Sequence, residues 1–184
     1  MRNSMAWAAV PWWAMLGLTI GLMYGTQAID YHTMYPLKLA MFTAFTGTIG
    51  LSILPLIQLS AASAVADAAL ATGLSMTTLA AIAYNAPSEQ FLMWGGGLSI
   101  ASMGMLCVGV GSIFFPQSRA LHNIWLYGGL GLTSLFTLYH TQAIIYQAKT
   151  MQNFDPVGCS LGIYMNAVNM FIRFLMIFSG NRKK

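Results

Sequence analysis

The chain has 184 residues, 57% of them hydrophobic, with 8 Lys+Arg, 4 Asp+Glu and a charged fraction of 7%. Soluble domains carry roughly a quarter charged residues. So few charges cannot cover a soluble fold of this size, which excludes a soluble enzyme, a nucleic-acid binder and a disordered tail. The alternative solvent is lipid, and the net charge of +4 is no nucleic-acid signal because its basic residues are few and partly terminal. At about 20 apolar residues per crossing, one domain of this length holds about six or seven spans.

Charges and turn residues outline the spans in chain order. The first is predicted over 7–27. Its start, Met1-Arg2-Asn3-Ser4-Met5-Ala6-Trp7, is no Arg/Ser-rich transit peptide. The apolar run continues past Gly25, which favours a permanent span over a cleaved signal. Import then relies on internal signals, or a leader precedes the chain. Asp30, Tyr31, His32 and Pro36 mark a turn before the second span, 37–59, where Pro55 is expected to kink the helix near its end. The third is predicted over 61–84 and contains Asp67. Asn85-Ala86-Pro87-Ser88-Glu89 has turn chemistry and leads to the fourth, 91–115, closed by Pro116. The fifth is predicted over 123–146. The sixth runs over 156–178, with Asp155 as N-cap and Pro156 at the first helical position. Barrel strands would alternate polar and apolar over about ten residues, and these runs stay apolar for longer. The fold class is therefore all-α, a single polytopic membrane domain of six transmembrane helices over residues 1–184.

An even count puts both termini on one side, with Arg2, Arg119, Arg182, Lys183 and Lys184. Lys38, Lys149, Asp30, Glu89 and Asp155 fall on the other. The positive-inside rule places the termini in the cytosol, or in the matrix for a mitochondrial protein. Gly17, Gly21 and Gly25 recur every four residues on the first helix, a spacing that lets a neighbouring backbone approach. It reads as bundle packing, with a homodimer interface as the alternative. Cys107 and Cys159 lie in apolar runs and read as buried, reduced residues rather than a disulfide framework.

Ionisable side chains within a span are functional candidates by default. Asp67 lies near the terminal face and either reaches interfacial water or joins a site. Arg173, near the end of the sixth helix, is placed to snorkel towards the headgroups or to gate. His140 lies deeper, in Leu138-Tyr139-His140-Thr141-Gln142. Asn166 and Asn169 share a face of the sixth helix at i and i+3. Their amides are expected to bond His140, Gln142 or Thr141 across the bundle and form a polar seam. There is no HExxH, CxxC, phosphate-binding glycine loop or G-x-S-x-G elbow. His32, His122 and His140 lack metal-site spacing. No enzyme, cofactor or metal site is expected.

Several motifs in order, Ala86-Pro87-Ser88-Glu89, Tyr127-Gly128-Gly129-Leu130, Tyr139-His140-Thr141-Gln142, Phe154-Asp155-Pro156, Tyr164-Met165-Asn166 and Asn169-Met170-Phe171-Ile172-Arg173, resemble the mitochondrial inner-membrane branch of the Bax inhibitor family. The likeness is most specific over roughly the last hundred residues. It implies a helical bundle of seven or more spans in the inner membrane, calcium and proton transport, and roles in cristae organisation and apoptosis control. Relative to that pattern the chain begins at the family's second core helix. The family's ion site is a pair of aspartates, one in each of the last two helices, and the matching positions here are His140 and Asn166. Calcium wants six to eight oxygen ligands with carboxylates supplying charge, and a His–Asn pair cannot share a proton as two carboxylates do. Calcium binding is not expected.

Two functions follow. In the first, a degenerate, non-transporting member works as a structural or accessory subunit among other inner-membrane proteins. Its bundle, lacking the family's first helix, exposes a small-residue face for a partner. In the second, a calcium/proton antiporter or cation leak channel uses an altered site of His140, Asn166, Asn169 and Asp67. Beyond lipid and such proteins no partner, least of all nucleic acid, is expected.

Overall fold

The computed structural model of the protein describes residues 12–87, 89–115 and 117–181. Among the described residues there is no strand, and six long helices dominate. They are α1 (Trp12–Ala28), α2 (Tyr35–Gln58), α3 (Ala62–Asn85), α4 (Gly95–Phe114), α6 (Gly129–Thr150) and α7 (Pro156–Asn181). A short helix, α5 (Arg119–Asn123), continues through a π-helical turn, Ile124–Gly128, into α6. Positions 7–11, Ser88, Pro116, Arg2, Arg182, Lys183 and Lys184 lie outside the described residues, and the orientation reading rests partly on them.

Four stretches are long and apolar enough to cross a bilayer: Tyr35–Gln58, Ala62–Asn85, Leu92–Phe114 and Pro156–Gly180. The described part of α1 has 17 residues. α6 is more polar than the others because it carries Thr133, Thr137, His140, Thr141 and Gln142. Its threonines cost little in lipid, because each hydroxyl donates to the carbonyl four residues back: Thr133 to Gly129 at 2.7 Å, Thr137 to Thr133 at 2.9 Å and Thr141 to Thr137 at 2.7 Å. α6 runs to Thr150, past the predicted end of the fifth span, and places Lys149 in its last turn, where the helix dipole favours a cation.

By its contacts the chain divides into two compact units. The first holds α1, α2 and Asp155–Leu161; the second runs from Ser60 to Phe154 and resumes at Gly162. In the first unit α1 and α2 pack as an antiparallel pair, with Thr26, Phe45 and Thr48 buried. Of the three predicted packing glycines only Gly25 works within the chain, since a Cβ there would stand 2.7 Å from Met41 Cε. Among the described residues Gly17 and Gly21 have nothing within 4 Å, so the stripe meets no described neighbour over most of its length. Asp155 is the expected N-cap: its Oδ1 accepts the Gly158 N–H at 3.0 Å. Its Oδ2 pairs with Lys38 Nζ, which also donates to the Ile29 carbonyl at 2.7 Å. Sequence counting places Lys38 only as a basic residue at the non-terminal end of the second span. It lies in the first turns of α2 and is only 1% exposed.

In the second unit α6 packs against α3 and α4. Small residues on α3, Ala64, Ala68 and Thr72, are buried and give the close approach that lipid-embedded helices use. Ser118 caps α5 by accepting the Leu121 N–H at 3.4 Å. Large apolar side chains on α4, such as Ile100 and Ile113, stand outward, as suits a hydrocarbon solvent. Cys107 on α4 is exposed, not buried as its apolar setting predicts, because a lipid-facing position and a core position look alike in sequence; Cys159 is half-buried.

Candidate functional site

Within the second unit a cleft of about 640 Å³ lies among α4, the π turn, α6 and α7. Four of the sequence-predicted residues line it: His140, Asn166, Asn169 and Arg173. The i, i+3, i+7 spacing of the three α7 residues puts them on one face. Asn166 and Arg173 are buried, while His140 and Asn169 are half-buried.

Absent side chains make the room for these groups. A Cβ at Gly129 would overlap the Arg173 guanidinium, and one at Gly162 would stand 2.8 Å from His140 Nδ1. The His140 ring stacks on Phe136 with centroids 5.8 Å apart. Arg173 Nη1 donates to both the carbonyl and the side-chain oxygen of Asn169 at 3.2 Å, and the guanidinium lies 5.2 Å from the Trp125 ring. The side chain thus turns inward between helices rather than snorkelling to the headgroups, because Asn169, Trp125 and the gap at Gly129 together hold it there. Asn166 Nδ2 and Arg173 Nε are buried without a hydrogen-bond partner.

The predicted seam does not form as cross-helix bonds. Asn169 Nδ2 donates to the Met165 carbonyl at 3.0 Å, and Thr141 bonds Thr137, so both stay within their own helices. Gln142 points away from α7. Its Oε1 accepts the Phe91 N–H at 2.7 Å and its Nε2 donates to the Pro87 carbonyl at 3.0 Å. It therefore fastens the loop between α3 and α4, in which Glu89 takes a left-handed φ of 70°. Asp67 is exposed on α3 and does not line the cleft. Sequence reading missed Trp125, Gly129 and Gly162; a glycine facing an ionisable residue on another helix leaves no local signal. It also missed Lys38, whose pairing spans 117 positions.

The cleft lining contains one permanent cation, Arg173, one histidine and no carboxylate. Neutral amides and a guanidinium favour negative charge over a hard cation.

Comparison with known sequences gives a consistent picture. The family described as "Inhibitor of apoptosis-promoting Bax1" matches residues 1–183. Growth hormone-inducible transmembrane protein of Rattus norvegicus is 30% identical over 94% of this chain, which spans 54% of that protein's length. Bax inhibitor 1 of Bos taurus is 29% identical over 90% of this chain and 71% of its own. Modulator of FtsH protease YccA of Escherichia coli is 23% identical, covering 87% of this chain and 73% of that one. With the family match covering nearly every residue, and four helices long and apolar enough to cross a bilayer, the chain belongs to the Bax inhibitor family as a multi-pass membrane protein.

Proposed function

We propose that the chain is a non-transporting, non-enzymatic member of the family, an accessory subunit of a membrane-protein assembly in the mitochondrial inner membrane with both termini on the matrix side. One observation carries this reading: the cleft at the family's ion-site positions holds His140, Asn166 and the buried Arg173, and no carboxylate lines it. A calcium ion entering there meets a fixed positive charge and too few oxygens. The accessory role draws support from the open small-residue stripe at Gly17 and Gly21. It draws more from one relative, a modulator of FtsH protease. The mitochondrial placement is supported by the motifs of the last two helices.

Calcium and proton flux in proteoliposomes tests the reading. The natural chain is expected to be silent, and the double variant His140→Asp with Asn166→Asp is expected to regain flux if the scaffold still conducts. Flux from the natural chain would sink the proposal in favour of an altered-site antiporter or leak. The polar lining and size of the cleft are what favour that second reading. Isolation from mild detergent as a lone monomer without stable neighbours would count against the accessory role.

A further inference from the structure

Arg173 poses a charge problem that the accessory role leaves unsolved. It is permanently protonated and 8% exposed. It lies seven residues before Gly180, about 10 Å from the end of its apolar helix at 1.5 Å per residue. Its neighbours supply dipoles and a ring face but no counter-charge: the Asn169 oxygens at 3.2 Å and the Trp125 ring at 5.2 Å. About two turns back, Asn166 is also 8% exposed, with its Nδ2 lacking any hydrogen-bond partner among the described residues. The other wall of the cleft is apolar, formed by Leu106, Val110 and Ile113 of α4, all more than half exposed. A buried cation and an unsatisfied amide donor thus face a greasy wall that stands in hydrocarbon. Both groups are costly in lipid without an anionic or accepting partner.

We propose that this cleft binds a long-chain fatty acid, with the carboxylate between Arg173 and Asn166 and the acyl chain along the α4 wall. The carboxylate supplies the missing counter-charge and accepts from the amide; the chain covers the exposed aliphatic side chains. A volume of about 640 Å³ falls within the range of single small-molecule sites. Depth selects the single-chain acid over a phospholipid, whose phosphate is tethered through glycerol and a second chain to the membrane surface. The inference rests on the same carboxylate-free lining as the accessory role, but not on the role itself. Calcium flux from the natural chain would overturn the role and leave the following test standing.

The full chain in maltoside micelles is titrated with cis-parinaric acid, read by its fluorescence, and competed with palmitate, hexadecanol or phosphatidylglycerol. Palmitate is expected to displace the probe, with hexadecanol weaker by about thirtyfold, the scale of losing one partner of a buried charge pair. Arg173→Gln is expected to weaken probe binding by a similar factor and Arg173→Lys to recover part of it. Val110→Trp leaves every charge in place and fills the apolar wall, so it should likewise weaken binding while circular dichroism and gel filtration stay unchanged. If Arg173→Gln does not fold, Val110→Trp decides alone. Equal displacement by hexadecanol, stronger displacement by phosphatidylglycerol, unaltered binding in folded Arg173→Gln or unaltered binding in Val110→Trp would each overturn the proposal.

Discussion

A methyl group at position 129 would occupy space now filled by the Arg173 guanidinium, and one at position 162 would stand 2.8 Å from His140 Nδ1. The two collisions differ in kind. A guanidinium is the far end of a flexible chain and can swing away, whereas the imidazole is short and already stacked on Phe136. Helix propensity favours alanine over glycine by about 1 kcal/mol, and overpacking costs about 1–3 kcal/mol. Gly129→Ala is therefore expected to keep stability within about 1 kcal/mol while shifting Trp125 emission as the cation leaves its ring. Gly162→Ala should lose about 1–2 kcal/mol in unfolding from mixed detergent–dodecyl sulfate micelles. A larger loss at 129 than at 162 would show that Arg173 is not free to move. At this scale the sequence identified the polar residues of the cleft but not their bonds. His140, Asn166, Asn169 and Arg173 do line one cavity, because helical spacing on α7 groups three of them. The destination of Gln142 was illegible, since the Pro87 carbonyl and Phe91 N–H reach it only through the packing of α3 and α4 against α6.

Among elements, the start of α2 and the start of α7 meet through Lys38 and Asp155. The N-cap itself was readable, since Asp155-Pro156 is a local signal and the Gly158 N–H bond realises it. The lysine was not, because a basic residue near a predicted boundary looks like an ordinary flanking charge until a distant segment buries it. The pair is asymmetric: the Lys38 side chain is 2% exposed and that of Asp155 is 33% exposed. Removing one partner of a buried pair costs about 3–5 kcal/mol when the other is left uncompensated. Asp155→Ala strands the ammonium with only the Ile29 carbonyl and also removes the cap, so a loss of about 3 kcal/mol is expected. Lys38→Met leaves the carboxylate capping α7 with access to solvent and should cost clearly less. Micelle unfolding curves of the two variants check the order, and the reverse order would mean the carboxylate is the more deeply buried partner. The helix ends follow the same division. Lys149 was assigned to a loop but closes α6, and Arg119 opens a short helix under the Ser118 cap.

For the molecule as a whole, one crossing separates Arg119 from Lys149, and the proposed orientation puts Arg119 on the matrix side. In a cysteine-free background, Arg119→Cys should react with an impermeant maleimide only in inverted inner-membrane vesicles, and Lys149→Cys only in right-side-out mitoplasts. Reaction of both from one side would break the helix connectivity proposed here. The apolar runs, long enough to exclude strands, made the all-α, polytopic character plain from composition. Composition gave no hint of two compact units, because one of their three boundaries falls inside α7, between Leu161 and Gly162, in an unbroken helix.

The Lys38–Asp155 contact also sets an order of events during synthesis. Its partners lie 117 positions apart, and at about 5–20 residues per second the lysine emerges roughly 6–23 s before the aspartate. Throughout that interval the leading end of α2 carries an ammonium with the Ile29 carbonyl but without its carboxylate, and is held at the aqueous boundary. Only the arrival of the last helix lets it settle to its final depth. A nascent chain arrested before position 155 should therefore hold its second helix shallower than the finished protein does.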